Sequence, residues 1–556
     1  MRILKLAIIV SLVSVSATAS AIDFTAHGYY RTRGELNWNL DAQKYRSDIT
    51  RSNDRFGLIA FNQMRLRLEP IFKINDNISI HSQFDILDNV LYGTESTKQL
   101  NSHSPVVGTL ALPAGPGSVS MVGGQAGENK ALNIRRVWMD ILTPIGKLRF
   151  GRQASHWGLG IVANDGNDRQ GDFGDTSDRV SFMTQYPFND GSSISMIIAW
   201  DIAFESQVDP SIDGLAGAIR DNGQDTHQFA GVLIYERPSF AFGMFGGIRR
   251  RSGGNGTTTT AIDALGNSVA AGIDGDTLVY FADLYTKYSI KEHDFQLEFV
   301  YVGGSISTGV AVDAIPFSIY TGGSAGDGII SMPANQDLQV IMAAAEISGA
   351  YKWGGEWVLK TGFAEGDASP LSQRITQYGF RPDYNIALLM FNVPLGTSPS
   401  MWGTSAITGN SERLVGGVPV TANFINNAIY VALGYQHHFN VSNSCIQCND
   451  LSFGGRGVTA WAHKNPVDLD FQAILNDNAL PVIRNSNKWY GFEFDILLEA
   501  EFFDHLYTSL EAGILVPGGA YDVKVDTLQL GNLIETIPFD KANLAYGGRL
   551  TLMVEF

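Results

Sequence analysis

Alternation constrains this chain more than any other feature. In segment after segment apolar side chains hold every second position, with polar or charged ones between them. That is the period of a strand whose two faces meet different media. Met64, Leu66 and Leu68 alternate with Arg65, Arg67 and Glu69; Phe492, Phe494, Ile496 and Leu498 alternate with Glu493, Asp495, Leu497 and Glu499. About 18 such segments can be read, the first nine at roughly 23–39, 58–73, 78–89, 131–143, 146–153, 178–188, 193–205, 226–236 and 240–251. The other nine lie at roughly 276–290, 294–308, 337–352, 356–366, 428–440, 451–464, 488–503, 507–517 and 544–556. Many exceed the roughly 9 to 11 residues that a tilted strand needs to cross a bilayer.

The connections alternate as well. Tight turns such as "NDN" (75–77), "PIG" (144–146) and "NDGS" (189–192) separate long loops such as 90–130, 154–177, 309–336 and 367–427. Short turns at one end and long loops at the other, with an even strand number, describe a transmembrane antiparallel β-barrel. The expected fold is therefore all-β, with about 18 strands (16 or 20 as alternatives), periplasmic turns and extracellular loops. In hydrocarbon every backbone N–H and C=O must be paired, so such a sheet has to close on itself. The terminal "LTLMVEF" should pair with the first strand, "DFTAHGYYRTRGELNW", with Phe24, Ala26, Gly28, Tyr30 and Thr32 outward and His27, Arg31, Arg33 and Glu35 inward.

The beginning of the chain reads as a secretory signal peptide, 1–21: Arg2 and Lys5, the apolar "LAIIVSLVSV", then Ala19-Ser20-Ala21. Residues 22–556 then form a single barrel, with no linker or change of texture to divide them. Losing Arg2 and Lys5 takes the formal charge from −17 to −19, which argues against nucleic acid as a partner. With only Cys445 and Cys448, a soluble secreted fold stapled by disulfides is excluded. No cofactor is expected.

Several stretches carry a resemblance. "LTLMVEF" resembles the aromatic-ended signal by which bacterial outer-membrane proteins are recognised for insertion. The inward arginines and "LRFGRQ" (Leu148 to Gln153) resemble the alginate-export type of porin. "GRQASHWGLGIVANDGN", "GDFGDTSDRV" and "FRPDYNIALLMF" resemble an uncharacterised porin-like group. The resemblance implies a β-barrel porin in the outer membrane of a Gram-negative bacterium. Its partners would be lipid and lipopolysaccharide, the outer-membrane assembly machinery, and a small polar solute or an anionic polysaccharide. The alternative is a surface enzyme or adhesion protein with an occluded barrel. No G-x-S-x-G elbow or H-E-x-x-H helix supports catalysis.

Candidate lumen residues follow from strand parity: Arg31, Arg33, Arg65 and Arg67 as a ladder on two adjacent strands, with Glu69, Arg149, Glu493 and Asp495 elsewhere on the wall. The ladder either selects anions or is neutralised by neighbouring carboxylates. In the loop 164–179, Asp165, Asp168 and Asp172 make a weak Ca²⁺ candidate without the EF-hand register; a solvated loop is the plainer reading. Loop 367–427, with its apolar "NIALLMFNVPLG", is expected to fold inward or cap the barrel, and otherwise to add a hairpin. "CIQC" (445–448) is placed in a periplasmic turn as a local disulfide. Thiol labelling of the native, unreduced protein should then modify neither Cys445 nor Cys448; labelling at both contradicts the bridge.

Overall fold

The structure is a computed structural model that describes residues 23–39, 58–91, 132–172, 174–202, 226–251, 260–262, 268–270, 276–307, 312–319, 326–332, 335–367, 373–376, 378–391, 414–415, 418–419, 425–439, 441, 448–465, 487–521, 528–530, 533–535 and 543–556. The first half of the wall is β1 (Asp23–Trp38), β2 (Leu58–Asn75), β3 (Ile78–Leu91), β4 (Leu132–Thr143), β5 (Gly146–Ala154), β6 (Thr176–Pro187), β7 (Ser193–Ile202), β8 (Thr226–Arg237) and β9 (Phe240–Arg251). The second half is β10 (Thr277–Ile290), β11 (His293–Ser307), β12 (Asn335–Ala350), β13 (Gly355–Ala364), β14 (Ala428–Phe439), β15 (Cys448–Ala462), β16 (Trp489–Phe502), β17 (Leu506–Pro517) and β18 (Ala545–Glu555). Each strand pairs antiparallel with its neighbours in sequence, and β18 returns to pair with β1. These 18 strands close the barrel that the alternation implies; the two-residue Arg374–Ile375 joins only β12, in parallel.

The side chains are sorted inside out relative to a water-soluble protein. Phe229 is 63% exposed and Leu433 56%, whereas Arg65, Glu298 and Glu493 are fully buried. Aromatic side chains gather at both ends of the outer face: Trp38, Trp200, Trp461 and Trp489 toward the long loops, Tyr186, Tyr351, Trp353 and Phe439 toward the short turns. Two such girdles with an apolar band between them suit the two interfaces of a bilayer. Among the described residues no helix is long and apolar enough to cross a membrane.

Closure depends on a short glycine contact. Gly28 N donates to Phe556 O at 2.9 Å, and Phe556 N returns a bond to Gly28 O at 3.0 Å. A Cβ at position 28 would collide with the Arg67 carbonyl and reach the Phe556 ring at 3.0 Å.

An 18-stranded wall tilted by about 40° is about 35 Å across, too wide for wall side chains to fill. Two connections fold into it, 155–175 between β5 and β6 and 378–391 between β13 and β14. The second carries the buried core inward: Phe380, Ile386, Leu389 and Met390 cluster with Val300, Val340, Met342 and Val458 of the wall. Within loop 367–427 the described stretch 378–391 thus takes the inward course, and no twentieth barrel strand forms among the loop's described residues. Position 448 departs from expectation: β15 begins at Cys448, opposite Phe502, where a register shift before Asp450 lets the ladder reach past the alternating run. Cys445 lies outside the described residues. Replacing Gly28 with Val should cost about 1–3 kcal/mol by overpacking the seam. It should also lower the temperature at which the folded barrel unfolds on electrophoresis; an unchanged transition would contradict this closure.

Candidate functional site

One wall of the lumen concentrates guanidinium groups. In the β1–β2 register Arg31 faces Arg65, and Tyr29 faces Arg67. Strand parity turns Arg31, Arg33, Arg65 and Arg67 inward, as expected, and all four are buried. A bulge where Gln83 and Phe84 of β3 skip a residue of β4 adds two more, because it turns both Arg135 and Arg136 inward. Burying unpaired cations is costly, so these side chains need counter-charge. The wall supplies part of it: Arg67 grips Asp85 through two bonds of 2.7 and 2.9 Å, and Arg65 reaches Asp88 at 2.6 Å. The 155–175 segment supplies another part. Asp172 pairs with Arg31 at 2.5 Å, Arg33 at 2.8 Å and Arg65 at 3.4 Å. Burial alone would raise this carboxyl; the guanidiniums of Arg33, Arg31 and Arg65 more than offset it and hold it well below the usual carboxylate range.

The segment runs the length of the closing seam. It leaves β5 at the long-loop end and descends to Arg169, which bonds Glu555 at 3.0 Å and lies 4.4 Å over the Tyr507 ring at the short-turn rim. Gln170 donates to Thr551 Oγ1 of β18 at 3.1 Å, and Arg31 and Arg65 each donate to the Gly171 carbonyl, at 3.2 and 3.0 Å. Arg136 donates to Asn167 Oδ1 at 3.1 Å. On the far side Glu298 accepts from Leu159 N at 2.5 Å. Gly158 allows this approach, since its φ is +57° and a Cβ would collide with the Glu298 carboxylate. Trp157 packs against Phe245 with ring centroids 5.6 Å apart.

The second segment is held by carboxylates. Glu493 accepts from Leu389 N at 2.6 Å and Met390 N at 2.5 Å, while Asp495 accepts from Leu388 N at 3.1 Å and from Arg456 at 2.7 Å. The two segments also lock to each other. Asp383 takes the N–H groups of Asp172 and Gly174, both at 2.8 Å, Arg381 N donates to Ile161 O at 2.9 Å, and the Arg381 guanidinium pairs with Asp175. What results is one interlocked insert, fastened to the wall by charge on one side and by apolar packing on the other.

The expected lumen residues are thus inward but not free-standing. The arginine ladder lies beneath the 155–175 segment, and Glu493 and Asp495 are engaged by backbone amides. Arg149 is bound to Asp140 at 2.6 and 2.8 Å, and Glu69 accepts from Gln83 at 2.5 Å. The solvated surface loop expected at 164–179 is corrected: it is lumenal, because the arginine wall attracts it. The Ca²⁺ candidate is corrected with it, since Asp172 turns to three guanidiniums while Asp165 turns to Asn167, 2.8 Å away. Among the described residues no three His, Cys, Asp or Glu side chains converge as a metal site. Arg135, Arg136 and Asp383 escaped the sequence reading; the adjacent Arg135-Arg136 pair, which breaks the alternation of β4, is the signal that could have exposed the bulge.

No known family and no curated protein matches this sequence. Solved structures similar to it include a BenF-like porin from Pseudomonas fluorescens Pf-5 (9% identity, TM-score 0.42, covering 96% of this chain and 98% of that one). OpdQ of Pseudomonas aeruginosa compares at 9% identity and TM-score 0.41, with 96% and 98% covered. An anion-selective porin from Comamonas acidovorans compares at 10% identity and TM-score 0.37, with 96% and 100% covered. Likeness at this level says nothing of cargo, and the architecture described above rests on its own strand pairing.

Replacing Asp172 with Asn should leave three buried guanidiniums short of charge and cost about 3–5 kcal/mol. Hydrogen exchange should then quicken across 160–172 while the amides of β1 and β2 stay protected; unchanged exchange in the segment would show that Asp172 does not hold it.

Proposed function

We propose that this chain is a channel of the outer membrane of a Gram-negative bacterium, passing small polar solutes, anions among them, through a narrowed lumen. The observation that carries the reading is the inside-out sorting of the barrel: an exposed apolar band outside, ionised side chains inside. A wall this wide encloses water unless something fills it, and the interlocked insert reduces the bore without requiring any catalytic group. Lipid and lipopolysaccharide would cover the outer face, with the assembly machinery acting on the strand that ends at Phe556 and a signal peptide at 1–21 directing export. The narrowing favours small solutes over the anionic polysaccharide that the alginate-export resemblance implies. Partly exposed cations of the wall such as Arg149, which shares Asp140 with Lys147, favour anions locally, although the whole chain is acidic, because permeation senses charges within about 8 Å at physiological salt.

Purified protein in a planar bilayer should give discrete conductance steps with anion permeability above cation permeability, and the preference should fade in molar salt. Cation preference at low salt would overturn the anionic part of the reading. A folded barrel that conducts nothing would overturn the channel and leave an occluded surface enzyme or adhesin.

A further inference from the structure

The insert does not cover the wall evenly. Its charged side lies on β1 to β4 and on β18, and its apolar side lies on β11 to β17. Between these, inward positions of β6 to β8 are only half-buried: Met183, Ile197, Ala199, Ala230, Val232 and Ile234. They border a cavity of about 210 Å³, closed on the insert side by Trp157. Apolar side chains left facing a lumen make a poor lining for ions and a good one for an organic solute.

The charges at this cavity have one sign. Among the described residues lining it, the charged and titratable ones are Arg149, Arg179 and His156. Arg179 is matched by Asp201 at 2.5 Å, whereas Arg149 and Lys147 share Asp140, at 2.6 and 3.6 Å. Two cations on one carboxylate leave this corner positive. A slot with one apolar wall and a cationic corner complements a small monocarboxylate with an apolar body.

Resting on the channel reading above, we infer that the conducting path runs along β5 to β9 and that its preferred solutes are small amphipathic organic acids. The buried arginines of β1 and β2 act as anchors of the insert and lie off this path.

Hexanoate and acetate test this, since they differ only in apolar length. Hexanoate in the bath should block the KCl conductance of the reconstituted channel at concentrations where acetate does not. Ile197→Asn and Val232→Asn should each raise the half-blocking hexanoate concentration by at least about fivefold, which corresponds to about 1 kcal/mol of lost apolar contact. Both variants should still migrate as folded, heat-modifiable barrels on electrophoresis, which reports that they fold. Ala230→Trp, which fills the slot beside Trp157 and Phe245, should cut the KCl conductance by at least about half. Equal block by the two acids, an unmoved half-blocking concentration in both Asn variants, or an unchanged conductance in Ala230→Trp would overturn the path while leaving a channel. A parent protein that never conducts would overturn the channel reading and the path together.

Discussion

The charge balance around Asp172 is the interaction on which the interior depends. Strand parity obliges β1 and β2 to project Arg31, Arg33, Arg65 and Arg67 inward, and the bulge in β4 adds Arg135 and Arg136. Guanidiniums packed this closely repel one another and tolerate burial only with counter-charge and hydrogen-bond acceptors. Asp85 and Asp88 answer part of the demand, and the 155–175 segment brings Asp172 together with the carbonyls of Arg169 and Gly171. The segment is therefore drawn into the lumen by the wall. Once there, it offers Asp383 the two amides that fix the second segment, and Glu493 and Asp495 finish the attachment.

This arrangement separates two tasks that inward charges can perform. Side chains that hold an insert must be saturated with partners; side chains that select a solute must keep some capacity exposed to the path. Arg31, Arg33 and Arg65 are of the first kind by burial and pairing. Arg149, partly exposed beside an apolar wall and sharing Asp140 with Lys147, is the candidate for the second. On the channel reading proposed above, selectivity would be set where the insert is absent among the described residues.

Much of the barrel was legible in the sequence because its periodicity is imposed by two solvents at once. A period of two, read off Met64 to Glu69 or Phe492 to Glu499, is what hydrocarbon on one face and water on the other require, and each of the 18 strands appears within a few residues of its alternating run. The inward course of 378–391 was legible too, in an apolar stretch too greasy for a surface loop. The 155–175 segment was not. Its Asp, Asn and Gly residues have the composition of any solvated loop, and nothing local reveals that its partners lie more than a hundred residues away on β1 and β2. The bulge that turns Arg135 and Arg136 inward likewise arises from pairing with β3, which no single strand's pattern displays.

The central claim is that the 155–175 segment lies inside the closed barrel against its seam. Gln170 and Thr551, whose side chains meet at 3.1 Å, offer a direct measurement. A Gln170→Cys and Thr551→Cys pair, treated with a short bifunctional maleimide in the folded protein, should be cross-linked in nearly every molecule, detected as a joined peptide after proteolysis. Folded barrels in which the two cysteines never join, and in which position 170 reacts freely with a bulky reagent too large to enter the lumen, would contradict the account.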